Sequence, residues 1–366
     1  KNGYIYKKEY AIKYCVGCEL EKTDSELVNG RCPIHPLQEL EIIQEENYFF
    51  KASAFQDKLL AMYDHNPNFV VPDFRLNEIK SLLKNDGLKD FSISRLASKM
   101  PWGVPVPNDA TQVMYVWFDA LVSYISGLGW PDDLKKFEHY WKNGTPVQYC
   151  GKDNLRQQSA MWQSMLMAAG LPSSKTIIIN GFITGEGGIK MSKSLGNTVD
   201  PLEIVTEYGI DAFRYYVARE LSPFEDSPFT MEKFKEGYNA HLANGLGNLV
   251  SRVMKMASSN LSKPLEISEI KIPDKFFKAL DSFNIQAASN IIWEQIAKAD
   301  SIIQEKEPFK LVKTDKAKAE AIIGDLCQRV YMIGSMLEPI LPETSKIIKD
   351  LVRENQMPEK PLFMRK

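Results

Sequence analysis

Residues 181–197 read GFITGEGGIKMSKSLGN, and the architecture of the chain follows from how this stretch is understood. It prolongs an apolar β-run, Thr176 to Asn180 (TIIIN), through Phe182, Ile183 and Thr184, and turns at Gly185-Glu186-Gly187-Gly188. It then presents Lys190-Met191-Ser192-Lys193-Ser194 and closes at Gly196-Asn197. Glycines let a backbone approach a ligand closely and adopt positive φ. Two ammonium groups on such a loop can neutralise a polyphosphate and the charge that develops on it during transfer. For KxxK alone the competing reading is a solvated hairpin tip with two surface lysines. A Walker A loop is excluded, because no Gly-Lys-Ser/Thr follows Gly181 at the required spacing. A dinucleotide fingerprint is excluded too, since the glycines crowd together and no βαβ start surrounds them.

Bulk composition narrows the class. With 366 residues the chain can build several domains with proper cores, and its 44% hydrophobic and 25% charged content is that of a globular protein. A net charge of −2 means that any nucleic-acid contact must come from local patches. No apolar run is long enough to span a bilayer, and the start of the sequence shows no signal peptide or Arg-rich leader, so a cytoplasmic protein without membrane contact is expected. Three of the five cysteines cluster with a histidine, which argues for metal in a reducing compartment rather than disulfides.

That cluster is Cys15-Val16-Gly17-Cys18 followed by Cys32-Pro33-Ile34-His35, a C-x2-C-x13-C-x2-H pattern. It offers the four ligands of a closed tetrahedral Zn²⁺ site, and with no position left for water the zinc is expected to be structural. Free thiols in a small core are the alternative.

Further along, residues 46–65 read as connection and packing, residues 74–79 open a helix that ends at Asn85-Asp86-Gly87, and residues 91–95 read as a short strand. The prolines at 101, 105 and 107 hold the chain out of helix. Met114-Tyr115-Val116-Trp117-Phe118-Asp119-Ala120 reads as a strand feeding a helix, with Trp117 as core and Asp119 as a helix-start acid on composition alone. Val147 to Asp153 is a second strand ending in Gly-Lys-Asp, where Gly151 permits close backbone approach to a nucleotide and Asp153 offers an acceptor to a ribose hydroxyl or a substrate amine. A helix follows from Arg156 to Ala169 and stops at Gly170-Leu171-Pro172. Cys150 reads as a buried thiol. Residues 199–216 form a helix, a turn at Gly209 and a second helix, with Pro223, Asp226 and Pro228 as linker.

From Thr230 onward the pattern is helical. Leu242, Leu246, Leu249, Val253 and Met256 form one apolar stripe, opposite Asn244, Asn248 and Arg252. Gly245 and Gly247 cost helix stability and point to close approach by something. A second helix is expected over 275–306, then helices through 317–337 and 344–353, with Cys327 facing the interior and residues 354–366 packing back on the catalytic core.

The full KMSKS pentapeptide with its Gly-Asn tail resembles that of class I aminoacyl-tRNA synthetases, and the flanking motifs narrow the likeness to bacterial-type methionyl-tRNA synthetases over nearly the whole chain. That resemblance implies a Rossmann-like α/β catalytic fold, here its second half, with a zinc-bearing connective insertion and an all-α anticodon-binding bundle. It implies an insertion over 1–105 with its knuckle at 10–45, the nucleotide fold over 106–198, a stem-contact fold over 199–230 and the anticodon domain over 231–366. In the family the loop closes over ATP with its Mg²⁺, so Lys190 and Lys193 would stabilise charge, Ser192 and Ser194 would support the loop beside Met191, and Gly151 and Asp153 would meet the nucleotide. Trp117, Tyr124 and Trp162 would line the amino-acid pocket, with Asp119 beside it; an aromatic wall suits a thioether. Cys15, Cys18, Cys32 and His35 would hold zinc near the tRNA acceptor end. Asn248 and Arg252 would read the CAU anticodon, and Phe309 stands where relatives carry a base-stacking Trp.

The sequence also departs from the family. Relatives usually carry Phe-His where this chain has Gln157-Gln158, and Gln158 retains an amide for hydrogen bonding. Leu121 stands in place of a usual Pro. None of His35, His65, His139 and His241 stands in an HIGH motif. The expectation is therefore a methionine–tRNA ligase acting with ATP, L-methionine and tRNA(Met), monomeric, whose 366 residues taken alone do not activate methionine. The rivals are a synthetase for leucine or isoleucine and a non-catalytic tRNA-binding module.

Overall fold

The computed structural model describes residues 2–22, 26–191, 196–263, 266–267 and 270–366. The chain divides into two compact units, Lys1–Ile179 and Asn180–Lys366.

A long antiparallel ribbon opens the first unit. Ile5–Cys15 pairs with Glu41–Phe50 from Ile5↔Phe50 to Tyr14↔Glu41, and Leu20–Lys22 and Phe91–Ser92 flank the pair in a four-stranded sheet. The sequence reading missed this ribbon and took residues 46–50 for connection. Its strands mix charged and aromatic residues without a clean apolar alternation, because much of the ribbon faces water. Cys15 is the last residue of the first strand, so the ribbon carries the knuckle at its tip.

Two further sheets shape the unit. Asp109–Met114 lies between Ser94–Leu96 and Pro105–Val106, antiparallel to both. It hands over directly to the helix Val116–Ala120, so the strand-to-helix transition expected within 114–125 falls earlier, at Tyr115. The third sheet sets Thr176–Asn180 between Val70–Val71 and Val147–Gly151, with Ile177 and Ile178 running parallel to Val70 and Val71. Ile177, Ile178 and Ile179 are all fully buried, as the unbroken apolar run of a strand covered on both faces requires. Around it pack Phe55, Leu59, Tyr63, Leu83, Trp162 and Leu166. The helix Trp162–Ala169 is preceded by one wide π-type turn over Gln157–Met161, and it ends at Gly170 with φ +70°, where a left-handed stop favours glycine.

In the second unit Phe182 starts a short arm. Ile183–Thr184 pairs in parallel with Ser227–Pro228, and the Phe182 N–H donates to Asp226 Oδ1 at 3.0 Å. Gly181 sits so close to Glu225 that a Cβ there would lie 2.2 Å from that residue's backbone carbon and oxygen. Gly181→Ala therefore forces two backbone segments apart and is expected to lower stability by about 1–3 kcal/mol, read as a fall in the denaturant midpoint. An unchanged midpoint would contradict this packing.

Helices Pro201–Tyr208 and Ile210–Tyr215 meet at Gly209, φ +86°, as anticipated. Beyond them Met231–Gly237, Asn248–Asn260, Ile285–Lys306, Lys316–Leu337 and Pro342–Glu354 enclose a core of Leu246, Leu249, Ile292, Ile323, Val330 and Ile348. Cys327 is buried in it as expected, its thiol pushed up to about 12 by that burial.

Three details differ from the sequence reading. The helix expected over 275–306 is two, Asp274–Asp281 and Ile285–Lys306. Phe283 breaks it with φ +60°, and Asn284 caps the second piece by accepting from the Ala287 N–H at 2.9 Å. In the first bundle helix Met256 is only half-buried, while Val250, Met254 and Ala257 are buried. Residues Tyr238–Gly247 form π-type turns, each holding an extra residue, and so rotate the buried face that follows. Finally, residues 354–366, expected to pack back on the catalytic core, close on the segment Tyr238–Gly247 within the second unit. The Phe363 ring meets Tyr238 edge-on, the Tyr238 hydroxyl donates to the Met364 carbonyl at 2.9 Å, and a Cβ on Gly247 would stand 3.7 Å from the Phe363 nitrogen. The tightest neighbour of a Cβ on Gly247 would be the Leu242 carbonyl oxygen, at 3.1 Å, within the same run of turns. Among the described residues, no helix is long and apolar enough to cross a membrane.

Candidate functional site

The knuckle assembles as its spacing requires. The ligand atoms of Cys15, Cys18, Cys32 and His35 all lie within 4.8 Å of one another. Cys18 Sγ is 3.5 Å from Cys32 Sγ and 3.2 Å from His35 Nδ1, and Cys15 Sγ is 3.7 Å from that nitrogen. A tetrahedral zinc with bonds of about 2.0–2.3 Å sets its ligand atoms roughly 3.5–3.8 Å apart, so this donor set fits the ion. Gly17 is needed here: a Cβ would fall 2.7 Å from the His35 ring. Cys15 and Cys32 are buried. Burial, and then the Cys32 thiol, push the Cys18 thiol up to about 12. Burial acts upward on Cys32 as well, but backbone N–H bonds from His35 and Ile34 and the Cys18 thiol hold it below the usual thiol range. The backbone of this turn thus favours a thiolate at Cys32.

The residues assigned to the amino-acid pocket stand in the same first unit. Tyr124 is half-buried on the helix Ser123–Ser126, its ring 6.1 Å from that of the buried Trp162. Gln158 is 3% exposed and its Nε2 donates to the Tyr124 hydroxyl at 2.9 Å. Trp117 is half-buried and Asp119 exposed. The indole nitrogens of Trp117 and Trp162 are both buried without an acceptor among the described residues, donors that a ligand or water would satisfy. An open apolar groove of about 620 Å³ runs past Tyr4, Phe50, Phe118, Trp130 and Trp162, but it does not include Trp117, Asp119, Tyr124 or Gln158. Gly151 ends its strand in extended backbone, φ −70°, and Asp153 follows in a single turn, accepting from Asn154 Nδ2 at 3.4 Å. Cys150 is half-buried, and burial, then the Asp153 charge, push its thiol up to about 12, which suits an inert position.

The glycine-rich arm folds as a tight hairpin. Thr184 and Lys190 bridge across the turn, the Gly185 N–H donates to Ile189 O at 2.7 Å, and Gly187 and Gly188 take φ +69° and +77°. Lys190 is exposed with its ammonium 4.3 Å from the Phe182 ring centre, and Asn197 Nδ2 donates to its carbonyl at 3.3 Å. Met191 packs on the helical core. Ser192, Lys193 and Ser194 lie outside the described residues.

On the helix Asn248–Asn260, Asn248 is exposed and Arg252 is half-buried. Arg252 Nη1 donates to Asp300 Oδ1 at 3.0 Å, a partner that sequence reading missed because it lies on another helix. Burial pushes the Asp300 carboxyl up, although Arg252 opposes this. Phe309 is 48% exposed on the short helix Pro308–Leu311.

The sequence profile of the family described as tRNA synthetases class I (M) matches residues 37–254, more than half of the chain. The chain is 38% identical to a methionine–tRNA ligase of Caldanaerobacter subterraneus subsp. tengcongensis, over 94% of its own length and 56% of that protein's. It is 37% identical to the methionine–tRNA ligase of Streptomyces coelicolor, over 95% and 68%. Among solved structures, Mycobacterium tuberculosis methionyl-tRNA synthetase in complex with methionyl-adenylate superposes with a TM-score of 0.84 at 33% identity, covering 96% of this chain and 72% of that one. The chain belongs to the methionyl-tRNA synthetases of class I. It spans little more than half the length of the first curated relative it matches.

Proposed function

We propose that the protein containing this chain is a methionine–tRNA ligase. It activates L-methionine with ATP and Mg²⁺ to methionyl-adenylate and passes the methionyl group to tRNA(Met), as a cytoplasmic monomer. The observation that carries this reading is the likeness, over 96% of the chain, to a synthetase solved with methionyl-adenylate. In it, residues 1–105 are the insertion, 106–198 the second half of the nucleotide fold, 199–230 the stem-contact fold and 231–366 the anticodon domain.

The chemistry asked of this chain is positioning and charge stabilisation, without a covalent protein intermediate. Trp117, Tyr124, Gln158 and Trp162 hold the methionine side chain, with Asp119 beside it. Gly151 and Asp153 meet the nucleotide. Lys190 and Lys193 offset charge on the departing pyrophosphate, carried on a loop that Met191, Ser192 and Ser194 support. Cys15, Cys18, Cys32 and His35 hold a structural Zn²⁺ that keeps the ribbon tip folded and takes no part in the reaction. Asn248 and Arg252 read anticodon bases and Phe309 stacks on one.

The test is charging of transcribed tRNA by the longest natural form of the protein. Methionine should be attached to CAU-anticodon tRNA, and tRNA bound without attachment of any amino acid would mark a recognition module instead. In the same assay Phe309→Ala is expected to weaken tRNA binding by about 1–3 kcal/mol, a roughly 5–150-fold rise in Kd. Unaltered binding would return Phe309 to the bare surface.

A further inference from the structure

One helical turn in the second unit grips the far end of that unit. Helix Pro342–Glu354 begins behind Leu341, whose apolar side chain cannot cap it. The cap comes from another helix: Asp211 Oδ2, on Ile210–Tyr215, accepts from the Thr344 N–H at 2.7 Å. A carboxylate suits the first turn of a helix, where free N–H groups and the helix dipole both favour negative charge. Three residues on, the Arg214 guanidinium donates from Nε to the Ile340 carbonyl at 2.7 Å and from Nη2 to the Pro339 carbonyl at 3.0 Å. These carbonyls follow the end of helix Lys316–Leu337, where a cation is favoured. Opposite charges on one turn thus hold the two sides of a single helix–helix junction, residues 338–344.

The other end of the gripping helix is fastened too. Its last turn, Tyr216–Glu220, is of the wide π type, and the carbonyls of Ala218 and Arg219 accept from Ser289 Oγ at 3.3 Å and Gln286 Nε2 at 3.0 Å. Both donors stand on helix Ile285–Lys306, which also carries Asp300, the partner of Arg252. Asp211 is 6% exposed, and its Oδ1 has no partner among the described residues. A buried carboxylate satisfied on one oxygen costs stability that an apolar residue would not. What it adds is direction, because a hydrogen bond fixes an angle and apolar contact does not.

We propose that Asp211 and Arg214 are positioning residues for the tRNA step, holding residues 210–220 at one angle on the bundle so that the stem-contact and anticodon surfaces engage a single tRNA together. Both act through the placement of those surfaces. Two sites on one rigid body bind a shared ligand far more tightly than either alone, and the gain is lost when the geometry forbids simultaneous contact. The inference rests on the assignment of 199–230 to the tRNA stem and of 231–366 to the anticodon.

The experiment titrates the longest natural form of the protein with transcribed CAU-anticodon tRNA and with an isolated CAU anticodon stem-loop, which reaches the anticodon surface alone. In Asp211→Ala the Kd for tRNA is expected to rise about 10-fold, part of the 10²–10⁴-fold that joining two sites can supply. The KM for tRNA in charging should rise with it, while kcat for charging, methionine-dependent ATP–pyrophosphate exchange and the Kd for the stem-loop stay unchanged. Arg214→Ala should act in the same sense, and Arg214→Lys, which keeps a cation for one carbonyl, should recover part of the affinity. The Arg214 side chain is exposed, so its variants carry the test if Asp211→Ala does not fold. Equal loss of affinity for tRNA and stem-loop, or no loss for either in the folded variants, overturns the proposal. An unmodified protein that does not bind the stem-loop defeats the assignment of the anticodon surface itself, and the inference falls with it.

Discussion

Lys190→Ala is expected to lower kcat for methionine-dependent ATP–pyrophosphate exchange by about 10²–10³-fold, the cost of removing one preorganised charge stabiliser. The KM for methionine should stay within a few-fold, because Lys190 is assigned no contact with the amino acid. The glycine-rich turn sets where this lysine stands. Gly187 and Gly188 take left-handed backbone that other residues adopt with strain, and the return strand is pinned to Thr184 by the bridge at Lys190. Phe182 gives the ammonium a face to rest on while the side chain stays exposed, and Asn197 holds the backbone beneath it. An exposed cation–π contact is worth only about 0.5–1 kcal/mol, so the variant should fold normally and isolate the catalytic effect. A rate like that of the unmodified protein would remove Lys190 from the mechanism. Lys193→Ala is expected to act in the same sense.

The second large effect is loss of the metal. Cys32→Ser should reduce zinc content, measured by mass spectrometry, from stoichiometric to near zero. It should also release the turn backbone to fast hydrogen exchange. Cys32 is fully buried, within reach of three other donors, and its thiolate is favoured by the N–H groups of His35 and Ile34. Structural zinc contributes about 10–16 kcal/mol in small finger peptides, so losing one of four ligands collapses local order. The ribbon 5–15/41–50 has its own ladder of hydrogen bonds and should survive. Methionine activation should persist while tRNA charging weakens, as befits an ion with no open coordination position. A strong chelator should reproduce the result. Retention of zinc in Cys32→Ser would contradict the ligand set.

The elements legible in the sequence were those whose signal is local. Cys15, Cys18, Cys32 and His35 announce themselves by spacing, and the structure gathers them. The run at 176–180 reads as a buried strand because no charge interrupts it, and Gly209 and Gly170 punctuate helices where positive φ is required. What was missed depends on tertiary pairing. The ribbon strand Ile5–Cys15 carries lysines, a glutamate and tyrosines in no clean period, since the partner strand and its surroundings decide its placement. The Asp300 partner of Arg252 stands 48 residues away. The grip of Asp211 and Arg214 on the junction around Pro342 spans 125 to 133 residues of sequence, and no local pattern signals it. The stretch that opened the reading is itself divided: Lys190 and Met191 are placed, and the rest of the motif to Leu195 lies outside the described residues.

The central claim is that this chain belongs to an enzyme that activates methionine, and ATP–pyrophosphate exchange across a panel of amino acids tests it most directly. The longest natural form of the protein would be assayed with methionine, leucine, isoleucine and valine under one set of conditions. The account predicts exchange that depends on methionine and falls about 10²–10³-fold in Lys190→Ala. Exchange supported by leucine or isoleucine, with none for methionine, would contradict it.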